Sequence, residues 1–424
     1  MTEISSPDPA KPTDSKFAPA SSEGKTGFVK QRLHSLDAYR GMIMIMLAFG
    51  GFGLAKTADL QLKEQPNSSF WTNVQYQFSH VEWVGCGFWD MIQPSFMFMV
   101  GVSMAYSYVR RKREGQPYIR MLGHAIWRSV VLILLGVFLS SCWGGTTNWS
   151  FMNVLSQIGL GYAFLFLLWG RGFRMQAVTA VAILIGTWLL FVSFPGASID
   201  LETGAPDVGV SKAWAQEHLE GVPSAWQKNA NVGHDVDIRF LNLFPREEPF
   251  TFNRGGYQTI NFLPALATML FGLMCGELLR SDRSSLRKLL ILVIAGLAGL
   301  AIGYALNMTG VCPLIKRIWT PSWALYSTGW CCLILASMYL VFDILRFRFP
   351  AFPLVVIGMN SIAVYFMEML LKPWTAKNLE IHLGQDIFLL FGEAYVPMVQ
   401  ATMTGLVFWL ICLWMYRRKI FIRI

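Results

Sequence analysis

Apolar runs long enough to cross a bilayer recur along this chain, separated by polar connections. A membrane-spanning helix needs about 20 predominantly apolar residues, and in lipid it must satisfy its own backbone hydrogen bonds. Only 14% of the 424 residues are charged, whereas soluble proteins average about 25%. We therefore predict an all-α, polytopic transmembrane helix bundle of about ten spans. The runs occupy residues 38–56, 89–109, 122–142, 153–170, 176–195, 259–279, 288–307, 321–343, 353–371 and 396–416.

Lysine and arginine concentrate in every second connection between the runs. Residues 110–113 are all basic, whereas the next connection, 143–152, contains neither lysine nor arginine. Cytoplasmic loops carry this excess in membrane proteins, so both termini are predicted to be cytoplasmic. The loop that contains His80 and the long loop 196–258 are then extracytoplasmic. The net charge of +9 reflects this arrangement, so we predict a lipid bilayer and no nucleic acid as partners.

Two segments differ from the apolar runs in composition. Residues 1–31 are rich in Ser, Pro, Lys, Thr and Asp, and we predict a disordered cytoplasmic tail there. Residues 32–424 are the predicted membrane domain, in which 196–258 is the long insertion. Because loops of that length are usually functional, this one is either a lid that faces the substrate or a covering loop without a chemical role.

His80 and Asp90 lie on either side of the start of the second apolar run. Polar groups at the start of a membrane helix need a partner, which is either structural or a substrate. A carboxylate beside an imidazole fixes its tautomer and stabilises its protonated form, which suits general acid–base catalysis. We predict that His80 and Asp90 are catalytic, with Glu82 as a second candidate partner of the ring. The alternative is a structural histidine at the surface.

Polar residues in or beside other runs are candidates for binding a substrate or cofactor. Arg40 stands three residues after Asp37, so it either forms an anchoring ion pair or binds an anionic cytoplasmic ligand. Lys316 lies at an outer edge, where a snorkelling lysine is an ordinary feature. Amide and hydroxyl side chains in a bundle often only hydrogen-bond between helices. The remaining candidates are Asn153, Gln157, Asn261, Asn360, Ser361 and Tyr365.

Residues 32–41, 80–101, 255–261, 316–319 and 358–361 with Tyr365 carry a recognisable series of motifs. In this order they resemble the heparan-α-glucosaminide N-acetyltransferase family of membrane acetyltransferases, over about residues 32–424. The resemblance implies transfer of acetyl from cytoplasmic acetyl-CoA to an amino sugar or other glycan acceptor on the extracytoplasmic side. It also implies that His80 is the active-site histidine and Asp90 the acid that follows it. Since the family has many bacterial members, a bacterial inner (plasma) membrane is the expected location.

The resemblance leads us to expect acetyl-CoA as the acyl-donor substrate, held by basic residues at the cytoplasmic mouth. His80 would then act as a general base or as a nucleophile, and Asn360 and Lys316 are candidates for stabilising the oxyanion. One departure stands out, because lysosomal-type members carry an asparagine in the first span where this chain has Gly51. We predict no metal, since the seven cysteines show no CxxC or Cys/His ligand spacing.

Two alternatives to an active enzyme stay open. Ten helices with polar residues at depth also describe a multi-pass transporter or permease. Against this, the two halves show no inverted repeat and no matched pair of broken helices. A catalytically inactive relative is the other alternative, because of Gly51. The identity of the acceptor and the existence of a homodimer are left open.

Overall fold

A computed structural model describes residues 33–422, and the regular elements in this part of the chain are helical. Extended backbone pairs with extended backbone in two isolated bridges, Val84 with Ile315 and Ala205 with Val210. The predicted tail, residues 1–31, lies outside the described residues. The α-helices are α1 (His34–Ala48), α2 (Leu54–Glu64), α3 (Ser69–Phe78), α4 (Ile92–Arg113), α5 (Tyr118–Ser141), α6 (Val154–Leu168), α7 (Phe173–Ser193), α8 (Lys212–His218), α9 (Val232–Leu241), α10 (Phe262–Arg280), α11 (Ser285–Met308), α12 (Pro321–Tyr339), α13 (Ala351–Gly358), α14 (Ser361–Phe366), α15 (Lys372–Leu383) and α16 (Val396–Arg417).

Six helices among the described residues are long and apolar enough to cross a membrane, or eight spans if each of two bent helix pairs counts as one. The bent pairs are His34–Ala48 with Gly50–Glu64, at 45°, and Ala351–Gly358 with Ser361–Leu383, at 76°. An all-helical, multi-pass architecture is therefore confirmed, whereas the count of about ten spans is not. The six unbroken spans are Tyr118–Ser141, Phe173–Ser193, Thr259–Arg280, Ser285–Met308, Pro321–Ile344 and Glu393–Arg417.

The two other predicted spans, 89–109 and 153–170, correspond to α4 and α6. Helix α6 has only 15 residues, and α4 ends in four consecutive basic residues. Helix α4 also packs against α10, α12 and α1, and it buries Ser95 together with Pro94 and eight other residues. A helix surrounded by other helices needs no continuous apolar surface, which explains why its sequence is too polar for a lipid-facing span.

Helices α4 and α10 pack closely because glycines face each other across their contact. A Cβ on Gly101 would lie 1.9 Å from the carbonyl oxygen of Met269, and one on Gly272 would lie 2.0 Å from that of Phe98. Small residues at such contacts allow two helix backbones to approach within van der Waals distance. This contact fixes the start of α4 relative to α10 and therefore helps to position the residues that precede both helices.

The loop 196–258 is folded and packs into an apolar core that it shares with other segments. Trp226, Val210 and Leu219 from the loop pack in one cluster with Trp83 and Ile315. Trp83 follows His80 by three residues, and Ile315 directly precedes Lys316. We call residues 196–258 the outer subdomain, after the extracytoplasmic side predicted for it. It forms one core with the two segments that carry these polar side chains.

Candidate active site

His80 and Asp90 form a close pair. The Nδ1 atom of His80 lies 2.8 Å from Oδ1 of Asp90. Asp90 is 1% exposed, whereas the His80 side chain is 44% exposed, so the ring has one edge in the protein and the other open. The second carboxylate oxygen of Asp90 accepts hydrogen bonds from the backbone N–H groups of Val81 and Gly87, both at 3.2 Å. The carboxylate is thus fixed by donors from the same loop.

Lys316 completes the arrangement from a distant part of the chain. Its Nζ lies 3.0 Å from Oδ1 of Asp90 and 3.0 Å from Nδ1 of His80. The bridge between Val84 and Ile315 holds the two loops together, with the N–H of Gly85 donating to the carbonyl of Leu314 at 2.9 Å. We call His80, Asp90 and Lys316 the polar triangle.

The Asp90 carboxyl lies in a short 3-10 turn ahead of α4. Burial raises the pKa of this carboxyl, but the hydrogen bond from His80 and the charge of Lys316 outweigh burial and lower the pKa to about 2. Asp90 is therefore ionised at neutral pH. It can orient the imidazole of His80 and stabilise positive charge on it.

A second set of charged groups lies beside the polar triangle. Arg317 pairs with Glu82 at 3.4 Å and donates to the carbonyl of Gly255 at 2.9 Å. The indole N–H of Trp214 also reaches Glu82 at 3.4 Å, and the ammonium of Lys228 lies 4.4 Å from the centre of the Trp214 ring. Aromatic rings beside cations and hydrogen-bonding groups suit a polar organic ligand. Sequence reasoning missed Arg317, because its partners Glu82 and Gly255 lie far away along the chain. It also missed Lys228, whose partner Trp214 lies in the same loop.

A basic and aromatic cluster lies at the opposite end of α4. Arg111 donates to Nε2 of His124 at 2.7 Å, so the ring proton of His124 is on Nδ1. Nδ1 of His124 and Nε of Arg128 are buried donors without a hydrogen-bond partner in the described part of the chain. The guanidinium of Arg128 lies 4.8 Å from the centre of the Tyr162 ring. The Tyr108 and Phe166 rings pack against each other, with their centres 4.7 Å apart.

No family model matches the chain, but two curated proteins do. Heparan-alpha-glucosaminide N-acetyltransferase of Homo sapiens is 23% identical over 463 residues, with all of this chain covered. The protein of the same name from Mus musculus is 22% identical over 402 residues, with 86% of this chain covered. The chain is a distant relative of these acetyltransferases. It spans 64% of the human protein and 57% of the mouse protein, so the similarity does not extend to the whole of either relative.

Gly51, the position at which the resemblance led us to expect an asparagine, lies at the edge of the site. It belongs to a turn, Gly50–Gly53, in which four consecutive residues have positive φ angles between 53° and 66°. A Cβ at residue 51 would lie 3.1 Å from the ring of Trp89, whose centre is 6.4 Å from that of His80. The space next to Gly51 therefore contains the Trp89 indole, which would have to shift by a few tenths of an ångström to admit a side chain at residue 51.

Asn261 is another predicted residue close to the polar triangle. Its side-chain amide donates to the carbonyl of Arg317 at 2.8 Å, one residue beyond Lys316. Gln157 donates to the carbonyls of Phe151 and Thr259, and Asn153 accepts from the N–H of Ser156 at the start of α6. Both residues therefore hydrogen-bond to the backbone of the protein, and their part in substrate binding stays a prediction.

The other predicted binding residues lie away from the polar triangle. Arg40 donates to the hydroxyl of Ser103, midway along α4. Asn360 donates to the carbonyl of Ile420 and accepts from the N–H of Ile422, beyond the end of α16. Ser361 donates to the carbonyl of Gly358, and the Tyr365 ring packs edge-on against Phe96. The bonds of Asn360 do not bring it to His80, so its predicted oxyanion role receives no support.

Asp237 of the outer subdomain provides a test of how this subdomain is held. Burial raises its pKa to about 6, although both oxygens accept from the Thr259 N–H and Arg246 is nearby. A carboxyl whose pKa is raised on folding stabilises the fold while protonated. That stability is complete below its usual value of 3.8 and is lost as the pH rises through about 6.

We expect the wild-type protein to lose about 2 to 3 kcal/mol of stability from this group between pH 4 and pH 7. Asp237→Asn keeps an acceptor for Thr259 but cannot ionise, so its thermal unfolding midpoint should not fall over that range through this group. Asp235→Asn, on the exposed face of the same helix, is the matched control and should retain the wild-type pH dependence. Identical pH profiles for the wild type and Asp237→Asn would contradict the prediction.

Proposed function

We propose that this protein is a membrane acetyltransferase. In this proposal it moves acetyl from cytoplasmic acetyl-CoA to the amine of an amino sugar, or to another glycan acceptor, on the extracytoplasmic side. The observation that carries the proposal is the polar triangle, in which a half-open imidazole is held by a buried, ionised carboxylate. The distant relationship to the two N-acetyltransferases supports transfer of acetyl as the general chemistry.

The open edge of His80 carries Nε2, because Nδ1 faces Asp90 and Lys316. In direct transfer, the acceptor nitrogen bonds to the thioester carbon while Nε2 accepts the proton that this nitrogen loses. The carbon–sulfur bond breaks, and the leaving thiolate takes up a proton to give free coenzyme A. In a two-step route, Nε2 first bonds to the acetyl carbon while the carbon–sulfur bond breaks, and the thiolate leaves and takes up a proton as free coenzyme A. The acceptor nitrogen then bonds to the acetyl carbon, the bond from this carbon to Nε2 breaks, and the proton that the nitrogen loses passes to the freed Nε2. Both routes require the same unprotonated Nε2.

The basic and aromatic cluster around Arg111 and Arg128 is our proposed site for the nucleotide end of the donor. Guanidinium groups bind phosphate well, and the Tyr162, Phe166 and Tyr108 rings offer apolar surface for a purine. Buried donors on His124 and Arg128 lack partners in the described structure, which fits an anionic ligand. The positive-inside pattern predicts that this end is cytoplasmic, which the proposal requires.

A transporter is the second candidate. Although the sequence shows no matched pair of broken helices, the structure has two bent helix pairs, which are a feature of many transporters. The two functions can be separated in vesicles that contain the purified protein. Acetyl-CoA labelled in the acetyl group is supplied on the side of the basic cluster, and glucosamine is enclosed on the other side. An acetyltransferase should yield labelled N-acetylglucosamine inside and unlabelled coenzyme A outside. Uptake of intact labelled acetyl-CoA, with no acetylated sugar, would favour the transporter and overturn the proposal.

A further inference from the structure

Two amide side chains between the basic and aromatic cluster and the polar triangle have buried oxygens that take part in no hydrogen bond. Gln157 is 1% exposed and Asn261 is 5% exposed. Oε1 of Gln157 and Oδ1 of Asn261 each lack a hydrogen-bond partner in the described part of the chain. Because a buried polar atom without a partner lowers stability, these two oxygens call for a partner from outside the chain, either a ligand or water.

The orientation of both amides is fixed by their nitrogen ends. Nε2 of Gln157 donates to the carbonyl of Phe151 at 2.8 Å and to that of Thr259 at 3.0 Å. Nδ2 of Asn261 donates to the carbonyl of Arg317 at 2.8 Å. A carbonyl oxygen only accepts, so the nitrogen of each amide must face it and the oxygen is the end left over. The missing partner of each amide is therefore a hydrogen-bond donor.

A continuous line of contacts connects these amides to the two ends of the proposed reaction path. On α6, Gln157 lies five residues, or about 7 to 8 Å, from Tyr162 of the basic and aromatic cluster. The Thr259 carbonyl, which binds Gln157, lies two residues before Asn261. The Arg317 carbonyl, which binds Asn261, lies one residue beyond the polar triangle. A molecule that follows this line passes both free amide oxygens.

The kind of unpaired atom changes along the line. In the basic and aromatic cluster the unpaired atoms include two donors, Nδ1 of His124 and Nε of Arg128, whereas Gln157 and Asn261 offer acceptors. Coenzyme A has the complementary order of groups. Its nucleotide end carries phosphates, which accept hydrogen bonds, and its pantetheine arm contains two secondary amides, each with one N–H donor. Water would suit donors and acceptors alike, so this order favours the arm.

We infer that the pantetheine arm of coenzyme A lies along α6, with its two amide N–H groups donating to Gln157 and Asn261. The identity of the donor rests on the proposed function. Space beside this part of α6 is filled by the end of a flexible side chain, since a Cβ on Gly161 would lie 2.3 Å from the terminal methyl of Met269. An unbranched methionine adapts easily to a new neighbour, so the arm can take this place.

Binding of two ligands separates the arm from the nucleotide. Coenzyme A has the arm, whereas 3′-phosphoadenosine diphosphate is the same nucleotide without it. Calorimetric titration of the purified wild type should give a lower Kd for coenzyme A. In Gln157→Met and in Asn261→Leu the Kd for coenzyme A should rise roughly threefold to tenfold, as expected for one lost hydrogen bond. The Kd for the nucleotide should not change in either variant.

Gln176→Met is the matched control. Gln176 is also fully buried with an unpaired Oε1, but its Nε2 donates to the carbonyl of Leu168, at the end of α6 away from Gln157. Both Kd values should stay at their wild-type levels in this variant. If Gln157→Met does not fold, Asn261→Leu and the comparison of the two ligands on the wild type still test the inference.

Three results would overturn the inference. These are equal Kd values for the two ligands in the wild type, an unchanged Kd for coenzyme A in both variants, and an equal loss of affinity for both ligands. The second result would leave water at the two oxygens, and the third would indicate a change in fold. Binding of neither ligand would count against the proposed function and the inference together. The expected Kd values in a protein that transfers no acetyl would support the inference and count against the proposed function alone.

Discussion

Replacing His80 with alanine should reduce the rate of acetyl transfer by roughly 10² to 10⁴-fold, the usual contribution of a general acid–base residue. The substitution removes Nε2, which both proposed routes require, and it leaves Asp90 paired with Lys316 at 3.0 Å. The rate is measured as N-acetylated sugar formed by purified protein at saturating acetyl-CoA. Coenzyme A binding should persist in the variant, since the basic cluster lies at the other end of α4.

His382→Ala is the matched control, because this histidine is exposed on α15 and none of its described contacts reaches the polar triangle. It should transfer acetyl at the wild-type rate. A normal rate in His80→Ala, with an unchanged thermal unfolding midpoint, would remove His80 from the mechanism.

Asp90→Asn should lower the stability of the protein by about 3 to 5 kcal/mol, because it leaves the Lys316 ammonium without its counterion in a buried position. The asparagine keeps the size of the side chain and an acceptor oxygen, so the loss comes from charge. A second substitution, Lys316→Met, should recover most of the stability by removing the uncompensated charge. Chemical unfolding of the four proteins in this cycle measures the coupling between the two residues.

The ion pair of Glu82 with Arg317 gives the comparison for this cycle. The Glu82 side chain is 53% exposed, so Glu82→Gln should cost less than about 1 kcal/mol. If Asp90→Asn and Glu82→Gln lose equal amounts of stability, burial is not what makes the Asp90 ion pair costly to break. If the double variant is less stable than Asp90→Asn, the uncompensated charge of Lys316 is not the cause of the loss.

The sequence allows the pairing of His80 with Asp90 to be predicted because the two residues are ten positions apart and flank one helix start. Lys316 is 226 residues beyond Asp90, and a lysine at an outer helix edge has an ordinary explanation in the sequence alone. Its place in the site depends on the pairing of Val84 with Ile315, a long-range contact without a local signal.

The span count could not be read from apolar length alone. Helix α4 lies among α1, α10 and α12, so burial by protein takes the place of burial by lipid, and its last turn consists of basic residues. The bends at Gly50–Gly53 and between α13 and α14 depend on local backbone geometry, which a count of apolar residues does not detect. The outer subdomain was predicted as a long loop, but its fold depends on Trp83 and Ile315 from two other segments.

The shared core of the outer subdomain has a consequence for exchanging parts between relatives. Trp83 donates its indole N–H to the carbonyl of Trp226, and both side chains are 2% exposed. A chimera that imports residues 196–258 from a relative would therefore place a foreign surface against the native loops around His80 and Lys316. Under the proposed function, a change of acceptor preference by exchange requires all three segments together.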